Sequence, residues 1–371
     1  MSTSPKPLNI ALLGTRGVPA RYGGFETCVE EVGKRLVRKG HRVTVYCRSS
    51  YYEQKLKKYL GMSLVYHPSL KKKSLDTLSH VLFSVLHATR QNYDVCMVFN
   101  AANSPFLFPL KILRKKIAIN PDGLEWKRTK WNVAGKTYAR LAERISCKIA
   151  DRIVSDSRAI QEYYLSRYGI ETSYIAYGAY IFDCQSTRRI EQMGLRKGEY
   201  FLQITRFEPE NHPLLTAKAF SKLRTDKKLV IVGGSPYPTS YVRKLMRYRS
   251  TKVLFPGFIY DHEVLRELWC NCFAYVHGNS VGGTNPTLLQ AMGAGCFVIA
   301  YDVLFNREVL RDCGIYYNEN VETLTAQMTW ALNNEKSLRT FGEKARTLIS
   351  QNFTWDLIAN KYEKMFFDLL G

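Results

Sequence analysis

The apolar positions of this chain fall into short runs separated by amphipathic stretches, and the pattern starts twice. Leu8–Leu13 is a run broken only by Asn9, and it ends at Gly14. From Glu26 to Lys39 apolar residues recur at helical spacing, at Val29, Val32, Leu36 and Val37, and the stretch stops at Gly40. Arg42–Cys47 then reads as a strand. Strand, loop, helix and strand within about 40 residues predict the βαβ unit of a parallel sheet. Further strands are predicted at Val95–Phe99, Lys116–Ile119 and Arg152–Ser155. After the polar stretch Cys184–Lys197 the series begins again, with strand Phe201–Ile204, helix Leu214–Leu223 and strand Lys228–Val232. Val253–Pro256, Cys272–Val276 and Phe297–Ala300 continue it. Near the end, Trp355, Ile358, Tyr362 and Phe366 share one face of a predicted helix. The expectation is an α/β chain of two facing Rossmann-like, doubly wound domains, residues 1–185 and 186–352, followed by a helix over 353–371. A ligand cleft is expected between them, at the carboxyl ends of both sheets.

Composition agrees with two cores. The chain has 371 residues, 46% of them hydrophobic, which excludes disorder, collagen-like repeats and small disulfide-stapled scaffolds. No run reaches the ~18 apolar residues of a membrane span. The apolar run near the N-terminus leads into Gly14-Thr-Arg-Gly17 rather than a small-residue cleavage site. Nine cysteines are scattered, and the close pair Cys270 and Cys272 lacks a second pair to complete a zinc site. They read as buried reduced thiols in a cytoplasmic protein.

The formal charge is +22, and it is uneven: through residue 185 there are 30 Lys and Arg against 14 Asp and Glu. Such a half implies an anionic partner. Nucleic acid is not expected, because no zinc-finger spacing, basic zipper or ribonucleoprotein signature is present. Phosphorylated ligands and an anionic membrane surface remain. Lys71–Lys73 precedes Leu75, Leu78, Leu82, Val85 and Leu86 at helical spacing, and Arg114-Lys-Lys116 adjoins the apolar run Pro105–Leu113. This pattern reads either as a sheet-covering helix with solvated lysines or as a peripheral dock on the cytoplasmic face of the membrane.

Four loops carry candidate chemistry. Gly14–Glu26 places four glycines between a strand and a helix start; the amides of Gly23 and Gly24 suit an anion, and Arg16 and Arg21 add charge. Neither the dinucleotide fingerprint nor the lysine-bearing phosphate loop is present. His277–Gln290 brings glycines, Thr284 and Asn285 to the start of a helix, again suited to a diphosphate. It contains Gly278-x-Ser280-x-Gly282, but the last histidine of the chain is His277, so a hydrolase triad in its usual order cannot form. In Thr205–Asn211, Arg206 can fork two donors onto phosphate oxygens or pair with Glu208 or Glu210. In Asn120–Trp131, Asp122 beside Trp126 can orient and deprotonate a sugar hydroxyl, or simply close a turn. No Asp-x-Asp pair exists, so no metal or other cofactor is expected.

Together these segments resemble bacterial glycosyltransferases of family 4, which have the GT-B fold. The similarity runs from about residue 8 to 365. It is carried by Gly14–Glu26, Asp122-Gly-Leu-Glu-Trp-Lys-Arg128, Arg206-x-Glu-Pro-Glu-Asn211, Gly257-Phe-Ile-Tyr-Asp261, Gly282-Gly-Thr-Asn-Pro286 and Tyr301-Asp-x-x-Phe-Asn-Arg-Glu308. The opening segment resembles rhamnosyltransferases of polysaccharide assembly. The resemblance implies anomer-retaining transfer from a nucleotide sugar to a saccharide acceptor, often lipid-linked, with the donor on the C-terminal domain and the acceptor on the N-terminal one. It also implies that the last helix crosses back to the first domain. Carried over residue by residue, it assigns Asp122 and Arg206 to catalysis. Donor binding falls to Gly23, Gly24, Arg206, Asn211, Phe258, Gly283, Thr284, Asn285 and Gln290. Acceptor binding falls to Arg16, Asp122, Glu125 and Trp126. The family usually has two glutamates separated by seven residues where this chain has Gly282 and Gln290, and an Arg–Lys pair where it has Arg206 and Asn211. An uncharged Gln290 suits a deoxyribose, hence a dTDP sugar such as dTDP-rhamnose. The same departures support an alternative, a catalytically weak nucleotide-sugar or polysaccharide binding protein.

Overall fold

The computed structural model describes residues 6–20, 23–70, 76–121, 123–128, 131–183, 185–235 and 239–371. Arg21, Lys71–Lys73 with Leu75, Asp122 and Cys184 therefore lie outside the described residues. The chain divides into two compact units, Met1–Tyr177 with Trp355–Gly371, and Gly178–Thr354. The boundary thus precedes the one read from the polar stretch at 184–197. The reason is local: Ala179 bridges to Thr354, and Phe182 N–H donates to the Gly293 carbonyl, so residues 178–183 belong with the second unit.

The first unit is built on a sheet of eight described strands: β1 (Asn9–Leu13), β2 (Arg42–Arg48), β3 (Lys58–Tyr59), β4 (Met62–His67), β5 (Val95–Phe99), β6 (Lys116–Asn120), β7 (Arg152–Ser155) and β8 (Ser173–Tyr174). Their spatial order is β3-β4-β2-β1-β5-β6-β7-β8, parallel except for the β3–β4 pair. Ile10 of β1 lies opposite Val43 on one side and Val95 on the other. A central parallel strand is covered on both faces, which explains why β1 and β5 are nearly continuous apolar runs. Helix Gly24–Arg38 follows β1 and turns Val29, Val32 and Leu36 inward.

The last helix, Trp355–Leu370, packs on that first helix. It buries Trp355, Ile358, Tyr362 and Phe366, each worth about 1.5–3 kcal/mol. Its polar edge is pinned by Arg35 Nε to Asp356 Oδ1 at 2.9 Å and Lys39 Nζ to Glu363 Oε2 at 2.5 Å.

In the second unit the described strands are β9 (Tyr200–Ile204), β10 (Lys228–Val232), β11 (Val253–Gly257), β12 (Ala274–His277), β13 (Val298–Tyr301) and β14 (Gly314–Tyr317), in the order β11-β10-β9-β12-β13-β14, all parallel. Phe201, Leu229, Ile231, Val276 and Ile299 fill the core on one face. In each sheet the first strand sits between neighbours that the chain reaches in opposite directions, at β1/β5 and at β9/β12. Such switch points splay the following loops apart and open a crevice at the carboxyl ends of the strands.

The cysteines differ from expectation at one place. Among the described residues seven are free thiols, but Cys270 is disulfide-bonded. Its near neighbour Cys272 turns elsewhere, with its Sγ 3.7 Å from that of Cys296. Among the described residues no helix is long and apolar enough to cross a membrane.

Candidate functional site

The switch point of the second unit brings two of the candidate loops together. The loop after β9 runs through Arg206 to His212, and the loop after β12 runs from Gly278 to Asn285. Asn279 Nδ2 donates to Asn211 Oδ1 at 3.0 Å, while Asn211 Nδ2 donates to the Arg206 carbonyl at 3.0 Å. Ser280 donates both its amide and its hydroxyl to the Glu210 carbonyl, at 2.9 and 3.0 Å. Gly278 crosses so close to Asn211 that a Cβ would fall on the Asn211 carbonyl oxygen, so only glycine fits there. The hydroxyl of the nucleophile-like Ser280 is thus a loop tie. Asn211 is 2% exposed and bonded at both ends of its amide, so it shapes the loop instead of facing a ligand.

Arg206 is exposed on this loop and, among the described residues, forms no ion pair with Glu208, Glu210 or any other carboxylate. Its guanidinium is open to an external anion. The second loop leads into the helix Pro286–Gly293, capped by Asn285, whose Oδ1 accepts from the Thr287 amide at 3.0 Å and hydroxyl at 2.7 Å. Asn285 therefore spends its side-chain oxygen on the helix, which leaves Gly283 and Thr284 as the residues leading into a positive helix end. Gln290 is half-buried, and its Oε1 accepts from the Tyr180 amide at 3.5 Å. Gly282 adopts φ +132°, with open space where a Cβ would point. A residue with a side chain rarely adopts that backbone, so the loop differs from a glutamate-bearing one in conformation as well as charge. Phe258, at the end of β11, is 38% exposed and stacks on Tyr260 with ring centroids 6.1 Å apart. Gly234 lies beneath its ring.

Two histidines of these loops carry no role assigned from the sequence. His212, in the left-handed region at φ 55°, bonds through Nδ1 to the Gly278 carbonyl at 2.7 Å and stacks on Tyr301 at 4.5 Å. His277, at the tip of β12, is 1% exposed, and burial pushes its pKa down to about 3, so it stays neutral at ordinary pH. The only sequence signal was their place at strand and loop ends.

In the first unit the glycine-rich loop is tied by the chain's own carboxylates. Glu26, 7% exposed, accepts from the Arg16 amide at 3.0 Å, and Glu30 accepts from the Ala20 amide at 2.7 Å. A Cβ on Gly23 would fall on Glu26 Oε2, so the negative charge beside the Gly23–Gly24 turn comes from Glu26. The Arg16 guanidinium lies over the Tyr51 ring, 5.2 Å from its centroid. Glu125 is taken up internally: it accepts from Trp131 Nε1 at 2.9 Å and pairs with Arg128 Nε at 2.7 Å. Trp126 packs under Arg140, 4.6 Å away, and against Tyr163. These contacts hold Glu125 and Trp126 in place within their part of the chain. The sequence reading also passed over the loop after β5. There Asn100 holds φ 74°, and fully buried Asn103 donates to the Phe99 carbonyl at 2.7 Å, directly against Gly14. Among the described residues, no group of three or more His, Cys, Asp or Glu side chains could hold a metal ion.

Residues 186–348 match the family described as glycosyl transferases group 1. This match lies within the second unit, Gly178–Thr354. Residues 8–180 match a domain of unknown function, DUF1972. Across nearly its whole length the chain is similar to O-antigen chain mannosyltransferase C of Escherichia coli, with 23% identity over 95% of this chain and 96% of that one. Among solved structures it is similar to sucrose-phosphate synthase of Thermosynechococcus elongatus, with a TM-score of 0.84 and 18% identity over 98% and 99% of the two chains. It is also similar to Anabaena Alr3699/HepE in complex with UDP-glucose, with a TM-score of 0.80 and 17% identity over 97% and 100%. The chain has the GT-B fold, with two Rossmann-like α/β domains.

Proposed function

We propose that this chain is a glycosyltransferase that moves L-rhamnose, with retention of anomeric configuration, from dTDP-rhamnose to a lipid-linked saccharide in cell-surface polysaccharide assembly. The observation that carries donor binding is Arg206: a guanidinium with no ion pair among the described residues, at the switch point of the second sheet, on a loop hydrogen-bonded to the one that leads into helix Pro286–Gly293. In this reading Arg206 and the amides of Gly283 and Thr284 hold the diphosphate, and charge developing on the leaving phosphate is stabilised there without a metal. Phe258 borders the nucleotide and Gln290 takes a sugar hydroxyl of it. Asn211 and Asn285 position the loops. On the acceptor side, Arg16 and Asp122 are assigned to the saccharide, with Asp122 orienting its hydroxyl. The related O-antigen chain mannosyltransferase and the UDP-glucose complex of the structural neighbour support a nucleotide-sugar donor and a polysaccharide product. The excess of basic residues in the first half supports a place on the anionic inner face of the cytoplasmic membrane, where lipid-linked acceptors are confined.

A second reading is favoured by Gly282 and Gln290, which leave the loop without the two carboxylates usual there: a binding protein with little turnover. Incubation of the protein with a panel of nucleotide sugars and a lipid-linked acceptor, read by mass spectrometry, separates the two. Transfer from dTDP-rhamnose above other donors is the expected result. Transfer from another donor alone overturns the rhamnose assignment, and thermal stabilisation by nucleotides without any transfer establishes the second reading.

A further inference from the structure

We infer that two adjacent helices of the first unit form an apolar surface with a basic rim that docks on an anionic lipid bilayer. This rests on the peripheral placement proposed above and is independent of the donor. Helix Asp76–Ala88 buries Val81, Ser84, Val85 and Ala88 against the sheet. That satisfies the sheet-covering reading of the sequence, yet the helix is apolar on its outer side as well. Leu82, Phe83 and Leu86 are 38, 43 and 42% exposed. The short helix Phe108–Ile112 packs beside it and exposes Phe108, Ile112 and Leu113 at 51, 77 and 51%. A single exposed leucine needs no explanation, but six large apolar side chains on neighbouring helices mark an interaction site.

The rim decides the partner. Arg90 just past the first helix, Lys111 in the second, Arg114 just past it and Lys116 at the start of β6 are exposed. Lys111 pairs with Asp151 at 2.8 Å, whereas Arg114 and Lys116 form no ion pair among the described residues. A second copy of the chain would set the same basic rim against itself in a chain already at +22, so like charges would face across a two-fold contact. Anionic headgroups complement the rim, and the acyl boundary takes the apolar centre. Without a spanning helix among the described residues, the contact lies in the interfacial layer.

The test is co-sedimentation of the full chain with vesicles of phosphatidylcholine alone or of phosphatidylcholine with phosphatidylglycerol, at low and high salt, without nucleotide sugar. Binding to the phosphatidylglycerol vesicles that weakens with salt is expected. Phe83→Ser combined with Ile112→Ser should lower the partition coefficient at least about tenfold, and Ile112→Ser alone, at a side chain 77% exposed, should weaken binding with an unchanged melting temperature. Arg114→Gln combined with Lys116→Gln should weaken binding at low salt and flatten its salt dependence. The inference is overturned if wild-type protein stays in the supernatant at low salt, or if the apolar double variant binds as tightly as wild type. Dimerisation that the apolar double variant abolishes, with vesicle binding unchanged, would assign the face to a second copy and also overturn it. Because no sugar is present, failed vesicle binding leaves donor turnover standing, and a failed donor panel leaves the docking surface standing.

Discussion

Asn279 donates its side-chain amide to the Oδ1 of Asn211 at 3.0 Å, and this bond joins loops that are 68 residues apart in the chain. Both side chains are buried, so neither can exchange its partner for water. Asn211→Ala leaves the Asn279 amide and the Arg206 carbonyl without those bonds, at a cost of about 1–3 kcal/mol. A lower urea midpoint and a raised donor KM are expected together. Unchanged stability would show that the tie is dispensable.

Arg206→Ala acts differently, because the side chain is exposed and supports nothing in the fold. The melting temperature should stay within the error of wild type, while kcat/KM for the donor falls by roughly 2–4 kcal/mol of transition-state binding. Activity within about threefold of wild type would remove Arg206 from the proposed diphosphate site.

Restoring a glutamate at position 282 should not restore a more ordinary site. Gly282 holds φ +132°, and a side chain there strains the backbone by about 1–3 kcal/mol despite the open space. Gly282→Glu and Gly282→Ala are therefore expected to lower the melting temperature alike, with Gly282→Glu no more active than wild type. A Gly282→Glu variant with higher kcat would show that the loop re-forms around the carboxylate.

The last helix should loosen in acid. Burial opposes the charge on Glu363, but the bonds from Lys39 and His41 outweigh it and hold its pKa below the ordinary glutamate value. His41 Nδ1 accepts from the Leu8 amide at 3.0 Å, so it is the Nε2 proton that donates to Glu363 at 2.9 Å. A lowered carboxylate pKa contributes stability that is complete above the unfolded value of ~4.3 and disappears as pH falls through the folded value. The stability difference between wild type and Glu363→Gln, from urea unfolding, should therefore be constant near neutrality and shrink below about pH 4. A difference that stays constant into acid would show that the Glu363 charge does not hold the helix.

The strands at the middle of each sheet were legible in the sequence because both of their faces are covered. β1, β5, β9 and β12 read as compact apolar runs, and glycine or asparagine follows each closely or at a short remove. β4 and β14 were not identified. Only Met62 and Leu64 of β4 are buried, and β14 lies at the edge of its sheet with two half-buried positions, so their hydrophobic signal is mixed. Among the candidate site residues, Arg206 stands out to the solvent, whereas Glu125 and Asn211 have partners inside the protein. Their residue types suited binding equally well. Nothing in their own neighbourhoods distinguished a ligand-facing side chain from one already bonded.

What the amino-acid sequence determined by itself was the alternation of strands and helices, the breaks between them and the basic first half. These follow from periods of two and about 3.6 residues and from composition, which are local properties of the chain. The tertiary structure alone decided the strand order and therefore the switch points, the loops brought together there, and the polar groups left available. It also left a second apolar face of helix Asp76–Ala88 exposed, where the spacing of the helix by itself showed one stripe. Hydrogen bonds such as Asn279 to Asn211 and ion pairs such as Arg35 to Asp356 join residues far apart in the chain. Local periodicity carries no information about such partners, because they meet only once the sheet has set which loops are neighbours.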